Sequence, residues 1–362
     1  MATLLLASIT MLLLGGGPAD QREELQWTDG EDLLVEGIAW PAESAPWTRL
    51  PDAARDDVRA PVWNLSRHSA GIAIRFTTDS PSVTVLWSLT SESLDMDHMP
   101  STGVSGVDLY LRTASGWRWA GAKGASKKRN QATLVSGLEP ERREFMLFLP
   151  LYNGIETIRI GTVAGHAISP GPERPTTSSL PIVFYGTSIT QGACASRTGS
   201  CHPAIIGRRL DRPVINLGFS GNGRLEMALA DLLGEIDAAL YVIDCLPNLN
   251  GIQTAERAVP FVKRLRSLRP ETPILLVEDR TYGDAWVNSS RARRNMENRS
   301  ALKSAYDQLV DGGMEDIAYL EGEGLLEEGA TVDGSHPNDL GFMQQADAME
   351  PAIRSLLGSG SD

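Results

Sequence analysis

A serine in the second half of the chain has the setting of an enzymatic nucleophile. Residues 182–185 form a short apolar run, Gly186 interrupts it, and Ser188 follows among small and polar residues. The run predicts a buried strand that ends at the glycine. Catalytic groups in open α/β sheets gather at the carboxyl ends of strands, so this position favours Ser188 as a nucleophile. A serine hydroxyl becomes reactive when a neighbouring base takes its proton.

The candidate base lies far downstream, in the segment Asp333-Gly-Ser-His336-Pro. An imidazole can take the serine proton, and a carboxylate three residues earlier is close enough in a turn to fix the imidazole tautomer. The spacing therefore predicts His336 as the base and Asp333 as its partner. The hypothesis requires that Ser188 and His336 meet in the folded protein.

The other histidines are weaker candidates. The chain has five in all. His202 is the nearest to Ser188 in sequence, but it precedes a proline at a predicted helix start, which favours a surface cap. His68 and His166 lie in no motif and are predicted to be structural.

Two more polar segments follow predicted strands. They are Gly218-Phe-Ser-Gly221-Asn-Gly223 and Asp244-Cys-Leu-Pro-Asn248. Each has a structural explanation when taken alone: a serine after a strand can cap a helix, and glycine or asparagine can form a turn. Their joint placement at one edge of a parallel sheet is what favours a functional site.

Alternating strands and helices must position these residues. After residue 180 the pattern predicts strands at 181–185, 213–217, 238–243, 273–277 and 317–320, with helices at 202–210, 224–233, 253–268, 289–311 and 338–357. Such alternation predicts a parallel sheet with helices on both faces. We therefore expect a flavodoxin-like three-layer α/β domain over residues 181–358.

The first half of the chain is rich in predicted strands. Apolar residues alternate with polar ones at 71–76, 82–87, 107–112, 117–119, 145–149 and 155–160, with turn residues between. This pattern predicts a β-sandwich or jelly roll over residues 25–168. Prolines and hydroxyl residues at 169–180 predict a linker. Seven of the eight tryptophans lie before residue 120, where packing in the sandwich is favoured over a sugar-binding platform.

The four polar segments resemble the SGNH (GDSL-type) hydrolase superfamily over residues 180–357, in the family's order. The resemblance implies Ser188 as the nucleophile, with His336 as base and Asp333 as its partner. It also implies an oxyanion hole formed by the backbone N–H groups of Ser188 and Gly221 and the side chain of Asn248.

A second resemblance covers the first half. The segment from His98 to Tyr110, with its Gly-Val-Asp-Leu-Tyr sequence, resembles the N-terminal GxDLY domain found before some of these hydrolases. Asp108 and Tyr110 are expected to brace the sandwich or the domain interface rather than to contact substrate.

The substrate pocket is harder to predict. Five residues near the predicted strand ends or motifs are candidates to line it: Thr187, Glu278, Arg280, Tyr282 and His98. Surface ion pairing explains the charged ones equally well.

Composition limits the classes of partner. A formal charge of −13 excludes a nucleic-acid partner, because phosphates would be repelled. No cysteine or histidine spacing predicts a metal site, so we expect neither a metal nor another cofactor. No apolar stretch is long enough to predict a membrane span.

The amino terminus and the cysteines indicate in which cellular compartment the protein is expected to work. An apolar run followed by small residues predicts a signal peptide over residues 1–22 and export to the periplasm or medium, against a buried N-terminal element. Of the three cysteines, Cys194 and Cys201 could be bridged, or all three could be free thiols. The oligomeric state is not predicted.

Together these features predict a serine esterase that hydrolyses a small-molecule or glycan acyl ester through an acyl-enzyme on Ser188. By analogy with carbohydrate esterases that carry an attached sandwich, a short-chain O-acetyl sugar is the expected substrate. The alternatives are an acyltransferase that uses the same residues, and a glycan-binding protein with a decayed hydrolase domain.

Overall fold

The computed structural model describes residues 24–358 and has an antiparallel β-sandwich followed by a parallel α/β domain. The predicted signal peptide at residues 1–22 lies outside the described residues. No helix within residues 24–358 is long and apolar enough to cross a membrane.

The first part contains ten strands and three short helices within residues 24–180. The strands are β1 (Leu25–Asp29), β2 (Leu34–Glu36), β3 (Ala73–Thr78), β4 (Val83–Leu89), β5 (Val107–Thr113), β6 (Gly116–Lys123), β7 (Arg129–Val135), β8 (Arg143–Phe148), β9 (Ile155–Val163) and β10 (Ile168–Pro170). The helices are α1 (Ala60–Ser66), α2 (Ser101–Val104) and α3 (Thr176–Ser179). One sheet has the order β1-β9-β4-β7 and the other β10-β3-β8-β5-β6, with β2 beside β3. The sequence did not predict β1, β2, β7 or β10.

The central strands of the second sheet, β3, β8 and β5, are buried on both faces. In β8, Phe145 and Leu147 pack in the sandwich core, whereas Met146 and Phe148 pack against the α/β domain. This explains why β8 has a continuous apolar sequence rather than a polar alternation. The sandwich and the α/β domain therefore share a hydrophobic core.

The α/β domain is built on five parallel strands. They are β11 (Ile182–Gly186), β12 (Val214–Gly218), β13 (Leu240–Asp244), β14 (Ile274–Val277) and β15 (Ile317–Leu320). The helices are α4 (Ser188–Gln191), α5 (His202–Leu210), α6 (Met227–Glu235), α7 (Gly251–Leu268), α8 (Ser289–Asp311) and α9 (Asp339–Gly358). The sheet order β12-β11-β13-β14-β15 is the flavodoxin-like order. The predicted α/β fold class is confirmed.

Two local features differ from expectation. Helix α6 begins at Met227, later than predicted, because Leu225 has a φ of 53° that interrupts helical geometry. The segment 169–180 contains the end of β10 and helix α3, and its Arg174 forms ion pairs with Glu36 (2.8 Å) and Asp211 (2.9 Å).

The three cysteines are free and buried. Of the two alternatives for Cys194 and Cys201, the structure shows the one without a disulfide.

Candidate active site

Ser188 starts helix α4 directly beyond the carboxyl end of β11. The Thr187 side chain caps this helix by accepting a hydrogen bond from the Ile189 N–H at 3.2 Å. A Cβ at Gly186 would lie 2.7 Å from the Asp244 carbonyl oxygen, so the turn needs glycine. Thr187 is fully buried, which makes it a cap and corrects its prediction as a pocket residue.

The structure brings Ser188, His336 and Asp333 together. The Ser188 Oγ lies 2.8 Å from the His336 Nε2, and the His336 Nδ1 lies 2.7 Å from the Asp333 Oδ2. These are hydrogen-bond distances, and they join the three groups in the order nucleophile, base and orienting carboxylate. The two ends of the α/β domain therefore meet as the hypothesis requires.

The loop at residues 332–336 fixes the imidazole through short-range contacts. The Asp333 Oδ1 accepts hydrogen bonds from the backbone N–H groups of Ser335 (2.9 Å) and His336 (2.7 Å). Partial burial alone would raise the pKa of Asp333, but these bonds and the imidazole lower it to about 2. The carboxylate is thus ionised, which favours the tautomer with its proton on Nδ1 and leaves Nε2 free to accept from Ser188.

The predicted oxyanion donors surround the same edge of the sheet. The Asn248 amide satisfies its neighbours when its oxygen faces the N–H groups of Asn222 (3.0 Å) and Gly223 (3.2 Å). In this orientation the Asn248 NH₂ group points away from the N–H groups of Asn222 and Gly223. The N–H groups of Ser188 and Gly221 have no hydrogen-bond acceptor within residues 24–358. These groups are available to a ligand.

Two buried side chains that the sequence did not single out support the nucleophile. The Tyr152 hydroxyl donates to the Ser188 carbonyl oxygen at 3.3 Å. Gln191 accepts from the Ser220 N–H at 3.0 Å and donates to the Leu151 carbonyl oxygen at 3.0 Å. Gln191 lies three residues after Ser188 in sequence. Tyr152 lies in the first half of the chain, outside every motif that the sequence analysis identified.

Glu278 and Arg280 are not pocket residues. Arg280 is 3% exposed, donates to both carboxylate oxygens of Asp244 and bonds Gln345 at 2.6 Å. The Glu278 carboxylate accepts from the Tyr319 hydroxyl and the Gly322 N–H. Both predictions are wrong because these charged groups after β14 turn into the domain and are paired there.

His202 also differs from its prediction as a surface cap. It is fully buried, stacks on Phe342 and meets Phe184 edge-on. Its Nε2 lies 3.9 Å from the Asp244 Oδ2. Burial and the Arg280 charge lower the pKa of His202 well below its ordinary value, so it is a neutral core residue.

Two predicted pocket residues do lie near the site. The exposed His98 of the sandwich has its ring centroid 6.1 Å from that of His336. Tyr282 lines an open groove of about 730 Å³ that also contains Trp286, Asp333 and Gly334. The sandwich thus reaches the mouth of the site, and a groove leads away from the catalytic carboxylate.

Asp108 and Tyr110 brace the domain interface, as expected. The buried Asp108 accepts from the Gly199 N–H at 3.1 Å and from the Tyr110 hydroxyl at 3.2 Å. Arg197 also contacts it at 3.3 Å. Asp108 thereby ties the sandwich to the segment that follows helix α4.

No group of three or more His, Cys, Asp or Glu side chains within residues 24–358 is arranged to hold a metal ion. The chemistry of the assembled groups is that of a serine nucleophile with an imidazole base.

Comparisons with known proteins agree with this geometry. Residues 179–354 match the GDSL-like lipase/acylhydrolase family, and residues 25–168 match the GxDLY domain, described as the N-terminus of SGNH-hydrolase-type esterases. Among curated proteins, none matches the chain significantly in sequence.

Solved structures share the whole architecture. A Bacteroides ovatus protein named as a GDSL-like lipase has 30% identity and a TM-score of 0.87, over 92% of this chain and 98% of that one. A salicylyl-acyltransferase from a tetracycline biosynthetic pathway has 17% identity and a TM-score of 0.69, over 92% and 97%. A family two carbohydrate esterase from Cellvibrio japonicus has 12% identity and a TM-score of 0.59, over 93% and 99%. The last two likenesses show the fold alone.

Proposed function

Because the chain belongs to the GDSL-like lipase/acylhydrolase family and is a carboxylic ester hydrolase, we propose that it cleaves acyl esters through an acyl-enzyme on Ser188. The observation that carries this proposal is the continuous chain of hydrogen bonds from the Ser188 Oγ through His336 to Asp333.

In the acylation step, the Ser188 Oγ forms a bond to the ester carbonyl carbon while the His336 Nε2 takes its proton. The carbonyl oxygen becomes an oxyanion that accepts hydrogen bonds from the Ser188 N–H, the Gly221 N–H and the Asn248 NH₂. The bond to the alcohol oxygen then breaks, and His336 returns the proton to the leaving alcohol. Asp333 stabilises the imidazolium between these events.

In the deacylation step, a water molecule attacks the acyl carbon and gives its proton to His336. A second tetrahedral intermediate collapses, the carboxylic acid leaves, and the proton returns to the Ser188 Oγ. The cycle needs no metal or cofactor.

We propose a short acyl group and a carbohydrate alcohol. The acyl group is the short one expected of an O-acetyl sugar. The groove beside Asp333 is open, combines charged side chains with apolar surface, and carries Trp286, whose side chain is 86% exposed. An exposed indole can stack on the apolar face of a sugar ring while the surrounding polar groups bond its hydroxyls.

The first test replaces the nucleophile. Ser188→Ala removes the attacking oxygen and nothing else from the packing, so the variant should fold with an unchanged Tm and release no p-nitrophenol from p-nitrophenyl acetate. Ser267→Ala, which removes an exposed hydroxyl near the end of helix α7, serves as the matched control and should retain turnover. Turnover by Ser188→Ala at the wild-type rate would remove Ser188 from its role.

The second test concerns the alcohol. Trp286→Ala should raise KM for an acetylated oligosaccharide several-fold and leave p-nitrophenyl acetate hydrolysis unchanged, because the small ester does not extend into the groove. An equal effect on both substrates, or on neither, would contradict the carbohydrate assignment.

Acyl transfer is the second candidate, because the same acyl-enzyme can be resolved by an alcohol as well as by water. Product analysis with and without an added acceptor alcohol separates the two: a hydrolase forms free acid in both cases, whereas an acyltransferase forms a new ester. A decayed, glycan-binding protein would instead bind oligosaccharide and cleave none.

A further inference from the structure

Two arginines of the sandwich contact the loop at residues 218–223, which carries Gly221. Arg49 donates to the carbonyl oxygens of Asn216 (3.1 Å) and Gly218 (2.6 Å), where β12 ends and the loop starts. Arg59 donates to the Asn222 Oδ1 (2.7 Å) and carbonyl oxygen (3.1 Å), where the loop ends. The first half of the chain therefore holds this loop at both ends.

Arg49 is unusual because it is a buried cation without a counter-ion. It is 1% exposed, and no carboxylate of residues 24–358 lies within ion-pair distance. Its four hydrogen bonds all go to carbonyl oxygens, the other two being those of Leu65 (2.5 Å) and His68 (2.9 Å). Burying an uncompensated charge is unfavourable, so the arrangement indicates a positional role rather than a contribution to stability.

Arg59 acts on a residue that orients a predicted oxyanion donor. It fixes Asn222, whose backbone N–H faces the Asn248 side-chain oxygen at 3.0 Å. That contact turns the Asn248 NH₂ group away from the loop. Arg59 also pairs with Glu226 just beyond the loop. A contact chain thus runs from the sandwich through Asn222 to Asn248.

The loop also needs an external support. Gly221 has a φ of 69° and is exposed, and a Cβ built there would meet no atom within 4 Å. Packing therefore does not confine this residue directly. Within the α/β domain, Arg224 donates to the Gly221 carbonyl oxygen at 2.8 Å and the Gly223 N–H donates to the Phe219 carbonyl oxygen at 3.0 Å. The hydrogen bonds from Arg49 and Arg59 at the two ends of the loop add to these in setting the direction in which the Gly221 N–H points.

We propose that Arg49 and Arg59 are positioning residues for the oxyanion hole, so that the sandwich is a structural part of the catalytic centre. This inference rests on the proposed function. Neither arginine needs to touch substrate; each acts by holding the donors where the oxyanion develops. Such an effect is expected on the transition state rather than on substrate binding.

Arg59→Ala gives the clearest test, because Arg59 is partly exposed and its loss should leave a folded protein. We expect a roughly 10- to 100-fold lower kcat for p-nitrophenyl acetate with KM changed less than about threefold, as misplaced donors weaken transition-state binding. The inhibition constant of phenylboronic acid, whose tetrahedral adduct with the serine oxygen mimics the oxyanion, should rise in parallel.

The matched control is Arg67→Ala. Arg67 lies on the same segment, stacks on Trp63 at 3.8 Å and donates to the Leu50 carbonyl oxygen at 2.9 Å, without contact to the loop at residues 218–223. Its kcat and boronate inhibition should stay near wild type. Methylguanidinium, but not methylammonium, should restore part of the Arg59→Ala activity by refilling the guanidinium position.

Arg49→Lys is the second variant. Lysine keeps the charge but cannot bond four carbonyl oxygens in one plane. Arg75→Lys is its control, because Arg75 is an equally buried sandwich arginine that pairs with Glu36 and Glu144 instead. Both should lower Tm, and only Arg49→Lys should lower kcat and weaken boronate inhibition in parallel.

The inference is overturned if Arg59→Ala keeps kcat and boronate affinity within threefold of wild type. It is also overturned if Arg67→Ala lowers kcat and boronate affinity as much as Arg59→Ala does. That result would leave the proposed function intact provided that Ser188→Ala is inactive. Turnover by Ser188→Ala would instead contradict the proposed function itself.

Discussion

The imidazole side of the candidate site and the serine side are held by different kinds of contact. On the imidazole side, residues 332–336 form a turn in which Asp333 accepts two backbone N–H groups and the His336 ring. On the serine side, the support comes from the sandwich, through Tyr152, Arg49 and Arg59. One side is a local motif, and the other depends on docking of two domains.

This difference predicts different responses to substitution. A change on the imidazole side should reduce activity with little effect on the fold, because the turn is short, partly exposed and held mainly by its own hydrogen bonds. One bond comes from outside the turn, from the Gly283 N–H to the Gly334 carbonyl oxygen (2.7 Å). A change at the domain interface should reduce stability and activity together, because the same contacts serve both. The predictions below test that contrast, beginning with the largest effect.

Replacing the orienting carboxylate should have the largest effect. We expect Asp333→Asn to lower kcat/KM by roughly 10²- to 10⁴-fold, because the amide can donate to Nδ1 and so favour the wrong imidazole tautomer. The Tm at neutral pH should fall by no more than a few degrees, because the amide oxygen can still accept from the two backbone N–H groups and the exposed carboxylate is screened by water. Initial rates on p-nitrophenyl acetate and thermal melts provide the measurement, with Glu328→Gln, a carboxylate of the same groove, as the control. A large decrease in Tm would show that the stability of the whole fold depends on the turn at residues 332–336.

The same variant has a predicted pH signature. The pKa of Asp333 is lowered to about 2, below its value in an unfolded chain, so the carboxylate stabilises the fold at neutral pH and this contribution declines as pH falls from about 4 to 2. Denaturant unfolding of Asp333→Asn should therefore depend less on pH in this window than that of the wild type. Identical slopes would contradict the geometry of the turn.

The contrast also explains what the sequence could predict. Asp333 and His336 are three residues apart, so their contact follows from a turn, and strand–helix alternation places the turn beside Ser188. The roles of Arg49 and Arg59 depend on which surface of the sandwich packs on the α/β domain, and no periodicity encodes that surface. Charged residues after a strand can face solvent or form a buried ion pair, and the sequence does not distinguish the two. For this reason the prediction of Arg280 as a pocket residue is wrong.

Removing the Asp108 contacts at the interface between the sandwich and the α/β domain should have an intermediate effect on activity and stability. Asp108→Asn keeps the shape but replaces one acceptor oxygen by an NH₂ group, which would face the buried donors of Gly199, Tyr110 or Trp119, so we expect a free energy of unfolding lower by about 1–3 kcal/mol. The kcat should fall only a few-fold, since Asp108 touches the segment after α4 and not the triad. Urea unfolding followed by tryptophan fluorescence measures the first effect.

The control for that variant is Asp29→Asn, which removes an exposed ion pair with Arg159 on the sandwich surface. It should change stability by less than about 1 kcal/mol. If Asp108→Asn lowered the free energy of unfolding no more than Asp29→Asn does, the domain interface would not depend on the buried Asp108 carboxylate.

A substitution of His202 tests the hydrophobic core of the α/β domain, where the ring packs between Phe184 and Phe342. Burial and Arg280 lower its pKa well below the ordinary value, so the unfolded chain binds a proton near pH 6 that the folded chain does not. Stability should thus fall as pH decreases below about 6.5, and His202→Phe should remove about 1 kcal/mol of that loss between pH 6.5 and 5.5. Phenylalanine suits the site because Phe184 and Phe342 already flank the ring.

Unfolding curves at the two pH values measure this difference. Phe184→Leu, which changes a ring beside His202 and keeps the histidine, is the control that should retain the wild-type pH dependence. The buried His68, whose pKa burial and Arg49 lower to about 4, contributes to the same pH dependence in every variant. A wild-type slope in His202→Phe would mean that His202 is charged in the folded protein.

The smallest expected effect concerns the loop after the nucleophile. Because Cys194 and Cys201 are free, dithiothreitol should change neither Tm nor kcat. Burial and the Asp333 charge raise the pKa of Cys194 to about 12, and burial raises that of Cys201 to about 11, so both thiols are protonated and should react slowly with a disulfide reagent in the native state. After denaturation the protein should titrate three thiols. A Tm that drops with reductant would show that a covalent bridge supports the serine side, in addition to the contacts from the sandwich.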